Sequence, residues 1–243
     1  MRFGFPRALR LAATFATAFV FLVGVEARAQ VIYDNDFESI AGPAWSVTNR
    51  SVTPVGGRTF LGDFGNQTVT LTLSSLPSHS ELILSFDLFI IRTWDGNNTI
   101  AGPDIWDLSV EGGSTLLHTT FQNPHNLWAS SGQGYPGTYP GDLYPSGTGA
   151  AETNTLGYVD QGPLHLGNMD MVYKLTFTIP HSGSSIALDF SASGLEGVDN
   201  ESWGLDNLVV AVPEPSSFAL CVVGAAALTG GVLRRKSTRS VRS

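Results

Sequence analysis

Cysteine is almost absent from this chain of 243 residues: Cys221 is the single example, and it lies in an apolar run near the C-terminus. Disulfides therefore cannot hold a folded body together, and apolar packing must do so, with a bound ion as an additional staple. Cations are scarce too. Of thirteen Lys and Arg, four fall within residues 1–29 and five beyond residue 233. Only Arg50, Arg58, Arg92 and Lys174 remain for everything between, against nineteen Asp and Glu, so the middle of the chain carries a net charge of −15. Such a surface repels nucleic acid and anionic lipid. Catalytic signatures are missing as well. There is no G-x-S-x-G elbow and no H-E-x-x-H pair, and the histidines at 79, 118, 125, 165 and 181 are scattered beside turns. No stretch of ten or more residues in the middle of the chain has helical apolar spacing.

What is present begins with two ends that read as addresses. Arg2, Arg7 and Arg10 precede an apolar stretch over 11–25, and Ala27-Arg28-Ala29 supplies a small-x-small cleavage pattern. This is a secretory signal peptide over residues 1–29, which implies the Sec translocon and signal peptidase as partners. At the other end, Pro213-Glu214-Pro215 is followed by an apolar span over about 216–233 and by Arg234-Arg235-Lys236. The prolines make an extended hinge, the span is a candidate transmembrane helix, and the basic cluster marks a membrane face.

The ordered triple of motif, span and basic tail over 212–243 resembles the PEP-CTERM sorting signal of exopolysaccharide-producing Gram-negative bacteria. The resemblance implies processing by an exosortase, a membrane thiol transpeptidase, near Pro213-Glu214-Pro215. It also implies delivery to the cell envelope or extracellular matrix after a transient inner-membrane stage.

Residues 30–211 then form one domain. Leu82, Leu84, Phe86, Leu88 and Ile90 alternate on one face of a strand over 81–92, with Ile83, Phe89 and Ile91 on the other. A strand apolar on both faces is central. Alternation also predicts strands over 67–73, 173–179 and 186–190, and further strands over 31–37, 105–110, 115–121 and 203–210. Many short strands separated by Gly- and Pro-containing turns predict an all-β fold, an antiparallel β-sandwich of jelly-roll type. A long segment over about 122–168 breaks the rhythm with Tyr135-Pro136, Tyr139-Pro140 and Tyr144-Pro145.

Three constellations carry candidate chemistry. Trp94-Asp95-Gly96-Asn97-Asn98 and Gly102-Pro103-Asp104 put hard oxygen donors in a glycine-containing loop, which makes Asp95, Asn97 and Asp104 candidate calcium ligands beside the alternative of an Asx-rich turn. Asp36-Phe37-Glu38 near the first strand and Glu201-Ser202-Trp203-Gly204-Leu205-Asp206-Asn207 on the last resemble bacterial carbohydrate-binding and MAM-like jelly-roll modules. That resemblance implies a structural calcium with Glu38 and Asp206 as candidate ligands. Trp94, Trp128, Tyr135 and Tyr139 lie in loops where aromatic rings are candidate sugar platforms, beside the alternative of loop stiffening.

The function these features predict is an exported, non-catalytic, calcium-stabilised sandwich that contacts polysaccharide. A secreted glycan-active enzyme on the same fold and a purely structural surface protein stand as alternatives.

Overall fold

The computed structural model describes residues 29–123, 129–160 and 167–213. Ala27, Trp128, Glu214, Pro215, Arg234, Arg235 and Lys236 lie outside them, as do the candidate transmembrane span and nearly all of the signal segment.

Eleven strands make up the described architecture: β1 Gln30–Asn35, β2 Arg50–Val52, β3 Thr59–Phe64, β4 Thr68–Ser74, β5 Glu81–Arg92, β6 Ile105–Val110, β7 Thr115–Thr120, β8 Glu152–Thr153, β9 Asp170–Pro180, β10 Ser185–Ser193 and β11 Glu201–Val212. One sheet runs β2-β3-β11-β5-β9-β8, with β1 also paired to β11; the other runs β4-β10-β6-β7. Every pairing is antiparallel, and the chain is an all-β sandwich.

The alternation seen in the sequence explains the layers. Leu82, Leu84, Phe86, Leu88 and Ile90 of β5 meet Leu71, Leu108, Leu188 and Phe190 from the opposite sheet, all buried. Each such side chain stabilises the fold by ~1.5–3 kcal/mol when fully buried. Trp106 and Trp203 cross edge to face at 6.0 Å in this core. The second face of β5 is covered only toward its C-terminal half, where Phe89 and Ile91 pack with Phe60, Leu156, Tyr158 and Val172. The expected two-sided burial is therefore real but partial, since Ile83 is half-buried.

Three strands escaped the sequence reading. β2 and β8 are too short to show a period, and β3 is interrupted by Gly62. Both edges of the smaller sheet are capped. Ser46 N donates to Thr70 O at 2.9 Å on β4, and Tyr139 N donates to His118 O at 3.0 Å on β7. The segment predicted as a long loop thus serves partly as an edge cover.

Candidate metal centre

The end of β5 and the start of β11 define the site. These strands pair with Arg92 opposite Glu201, so the loop leaving β5 passes beside the first residue of β11. Trp94 fixes that loop: its ring is fully buried and its Nε1 donates to Ser202 O at 2.8 Å. The chain then turns at Asp95–Asn98, with Asn98 N donating to Asp95 O at 3.2 Å. Gly96 sits at φ +65°, and a Cβ there would lie 2.2 Å from Gly132 O, so only glycine fits. The loop returns to the same place before β6, where Asp104 N donates to Gly96 O at 3.1 Å.

This path brings Asp95, Asp104 and Glu201 together, each offering a carboxylate oxygen within 4.8 Å of the others. Asp104 and Glu201 are fully buried and Asp95 is 4% exposed. One oxygen of each fully buried acid has a partner: Asp104 Oδ2 accepts from Asp95 N, and Glu201 Oε2 accepts from Glu196 N at 2.9 Å. Asp104 Oδ1 and Glu201 Oε1 have none. Among the described residues, no Lys, Arg or His forms an ion pair with Asp104 or Glu201.

Burial is the main force on their ionisation. It pushes the Asp104 carboxyl well above the ordinary range, with the Asp95 charge adding and the Asp95 N–H opposing. Burial pushes Glu201 up as well, and the facing Asp104 adds to it. Two buried carboxylates with orphaned oxygens are costly as anions unless a cation joins them. The donors are all hard oxygens, which suits calcium, magnesium or manganese rather than a thiolate-seeking ion. Oxygens within 4.8 Å of one another are close enough to reach one ion at a calcium–oxygen distance of ~2.4 Å. The residues present fit a divalent cation.

The other sequence candidates lie elsewhere. Asn97 adjoins the site but points away: its Oδ1 accepts from Thr120 Oγ1, and its Nδ2 donates to Asp142 O at 3.1 Å. Exposed Glu38 accepts from Thr59 N at 3.0 Å. Asp206 accepts from Asn207 N at 2.8 Å and lies 3.5 Å from Arg58 Nη2. Its neighbour is thus a guanidinium, and burial still pushes its carboxyl up to about 6. Glu201 completes the group although the sequence reading did not select it as a ligand. The signal available was topological: a last strand paired with the strongest central strand places its first residue beside the loop that follows the latter.

Solved structures with a similar chain path come at low similarity. They include dimeric latent PorU from Porphyromonas gingivalis (13% identity, 77% of this chain and 13% of that one, TM-score 0.38). A carbohydrate-binding module of a Cellvibrio mixtus lichenase, solved with cellotriose, shares 12% identity over 76% of this chain and 99% of its own, at a TM-score of 0.33. The cleaved adhesin domain of Lys-gingipain from Porphyromonas gingivalis shares 12% over 74% and 99%, at 0.35. No protein-family model and no curated protein sequence matches the chain.

The aromatic candidates divide. Trp94 is buried and offers no face to a sugar. Tyr135 is half-buried against Phe121 and Tyr173, at ring distances of 5.1 and 5.2 Å. Tyr139 is half-buried in the segment capping β7.

Proposed function

We propose that this protein is an exported, non-catalytic β-sandwich of jelly-roll type, stabilised by a buried calcium ion and contacting polysaccharide at the cell envelope or in the extracellular matrix. Support for the jelly roll comes from strand order: β3, β11, β5 and β9 alternate with β4, β10, β6 and β7 across two sheets, as in two interleaved Greek keys. Support for export and sorting comes from the N-terminal signal pattern and from Pro213-Glu214-Pro215 with its apolar span and basic tail. The observation that carries the calcium reading is the pair of buried, unpartnered oxygens on Asp104 and Glu201.

Calcium supplies positive charge at the three carboxylates and makes their ionised forms favourable. Asp104 and Glu201 each keep one oxygen fixed by a backbone amide and leave the other for the ion. The full-length protein should melt at a higher temperature with calcium than with a chelator, because a ligand bound only to the folded state stabilises it by mass action. An unchanged midpoint would overturn the calcium reading. Co-sedimentation with the host's exopolysaccharide tests the second element, and release of reducing ends during that assay would favour the enzyme alternative. Glu214→Ala should leave the protein unprocessed in the membrane; normal processing would contradict exosortase sorting.

A further inference from the structure

We infer that His79 and His181 share one proton, and that this proton clasps the β4–β5 connection to the β9–β10 connection as a pH-sensitive latch at one end of the sandwich. The pair lies at the opposite end from Asp104 and Glu201. Glu81, two residues after His79, pairs with Pro180, the residue before His181. The other end of β5 is Arg92, which pairs with Glu201. Ala211 pairs with Ile83, so the chain beyond Val212 leaves the sandwich at the latched end.

Counting donors gives the proton. His79 Nδ1 lies 2.6 Å from Pro77 O, and His181 Nε2 lies 3.1 Å from Ser185 O. A carbonyl oxygen only accepts, so each of these nitrogens carries a proton. A neutral imidazole has one ring proton, which leaves a bare lone pair on His79 Nε2 and another on His181 Nδ1. Those two nitrogens are 2.7 Å apart. The ring centres are 5.0 Å apart and the ring planes are 24° from parallel. The nitrogen contact and the two ring radii account for that whole separation, so the nitrogens meet head-on along the rings. Two lone pairs placed this way repel, whereas one added proton makes an N–H···N hydrogen bond. The three contacts therefore need three protons on two rings, one imidazolium beside one neutral imidazole. A hydrogen bond with an ionised partner is about twice as strong as a neutral one.

The charged residues on the elements that meet here are Glu81 on β5, Glu111 after β6, Lys174 on β9 and Asp189 on β10. Lys174 lies beside Asp87, and Asp189 accepts from Thr70 Oγ1 at 2.7 Å. Among the described residues, neither Glu81 nor Glu111 forms an ion pair with either ring. The shared proton thus answers to the two imidazoles and their carbonyls, and histidine changes its charge between pH ~5 and ~8. Without that proton, the connections keep their backbone bonds, Leu76 N to Ser184 O at 3.0 Å and His181 N to Ser80 O at 3.1 Å. Both rings are half-buried, so water reaches the freed nitrogens and the connections separate locally. Leu82, Ile179 and Ile186 form the core beneath them.

Two measurements on the full-length protein test the latch. Long-range proton–nitrogen NMR at about pH 6 should count three ring protons on His79 and His181 together. Two neutral rings at that pH would overturn the shared proton. Hydrogen exchange should then show protection of the Leu76 and His181 amides, corrected for the intrinsic effect of pH, falling about tenfold from about pH 6 to about pH 8. Glutamine carries no charge, so His181→Gln should lower protection of Leu76 at the lower pH and remove its pH step. A step that persists in this variant would mean that another group drives it, and the latch would fall. Three ring protons with equal protection at both pH values would overturn the latch as well.

Discussion

Two groups of three carboxylates sit among the described residues of this sandwich, and they differ in how their buried oxygens are satisfied. Asp87, Glu152 and Asp206 surround Arg58, whose guanidinium lies 3.4, 3.2 and 3.5 Å from them. Among the described residues, Asp104 and Glu201 of the second group form no ion pair with a Lys, Arg or His. The first group is closed by the chain itself: Asn207 Nδ2 donates to Asp87 at 3.0 Å, and Lys174 lies 3.8 Å from the same oxygen. The second retains orphaned oxygens in its interior. Carboxylate count alone does not separate a structural ion network from a metal site. What separates them is whether the described side chains satisfy the buried oxygens, as Arg58 does in the first group and nothing does for Asp104 Oδ1 and Glu201 Oε1 in the second.

The largest effect that tests this contrast is pH in the absence of metal. Burial raises Asp104 and Glu201 in the folded state above their unfolded values. The folded protein then holds protons that the unfolded chain has released, so metal-free stability falls as pH rises above ~4–5, by up to ~1.4 kcal/mol per pH unit for each retained proton. Calcium favours the ionised forms and should flatten this slope. A chelated protein as stable at pH 8 as at pH 5 would contradict the contrast.

Removing the built-in cation comes next. Arg58→Ala should destabilise by ~3 kcal/mol, the lower end of the range for breaking a buried ion pair, since Glu152 is partly exposed. Urea unfolding measures it, and a loss under ~1 kcal/mol would mean that Arg58 is not the closing charge. On the other side, a calcium concentration a hundredfold above its dissociation constant should add ~2.7 kcal/mol. Glu201→Gln keeps the shape but removes one charge, and it should abolish most of that increment. If the increment survives, the ion binds elsewhere.

How much of this was legible in the sequence follows from what local pattern encodes. β5 and β6 were readable to the residue because alternation states which face is buried. The proximity of Asp95 and Asp104 was readable because only eight residues of glycine-containing loop separate them. Glu201 was not selected because its place depends on which strand pairs with which, a long-range fact. Arg58 was unreadable for the same reason: it serves Asp206, 148 positions away, and so makes that acid part of an ion network. The burial of Trp94 was hidden too, since a tryptophan in a loop looks the same in sequence whether it faces solvent or anchors on Ser202.

The smallest effect belongs to Asp206 and tests whether Arg58 fully compensates its group. Burial pushes this carboxyl up to about 6, and the Asn207 amide and Arg58, which act the other way, do not cancel it. Because the folded value exceeds the unfolded one, this group's contribution is fully present below pH ~4 and is lost as pH rises through about 6. Asp206→Asn keeps an acceptor for the Asn207 amide and removes a negative charge facing Asp87. Stability at pH 7 should change by no more than ~1 kcal/mol, and the slope between pH 4 and 6 should flatten. A large loss at pH 7 with the slope intact would mean that the Asp206 charge is needed to hold Arg58. The guanidinium would then be a consequence of its acids rather than the group that closes them.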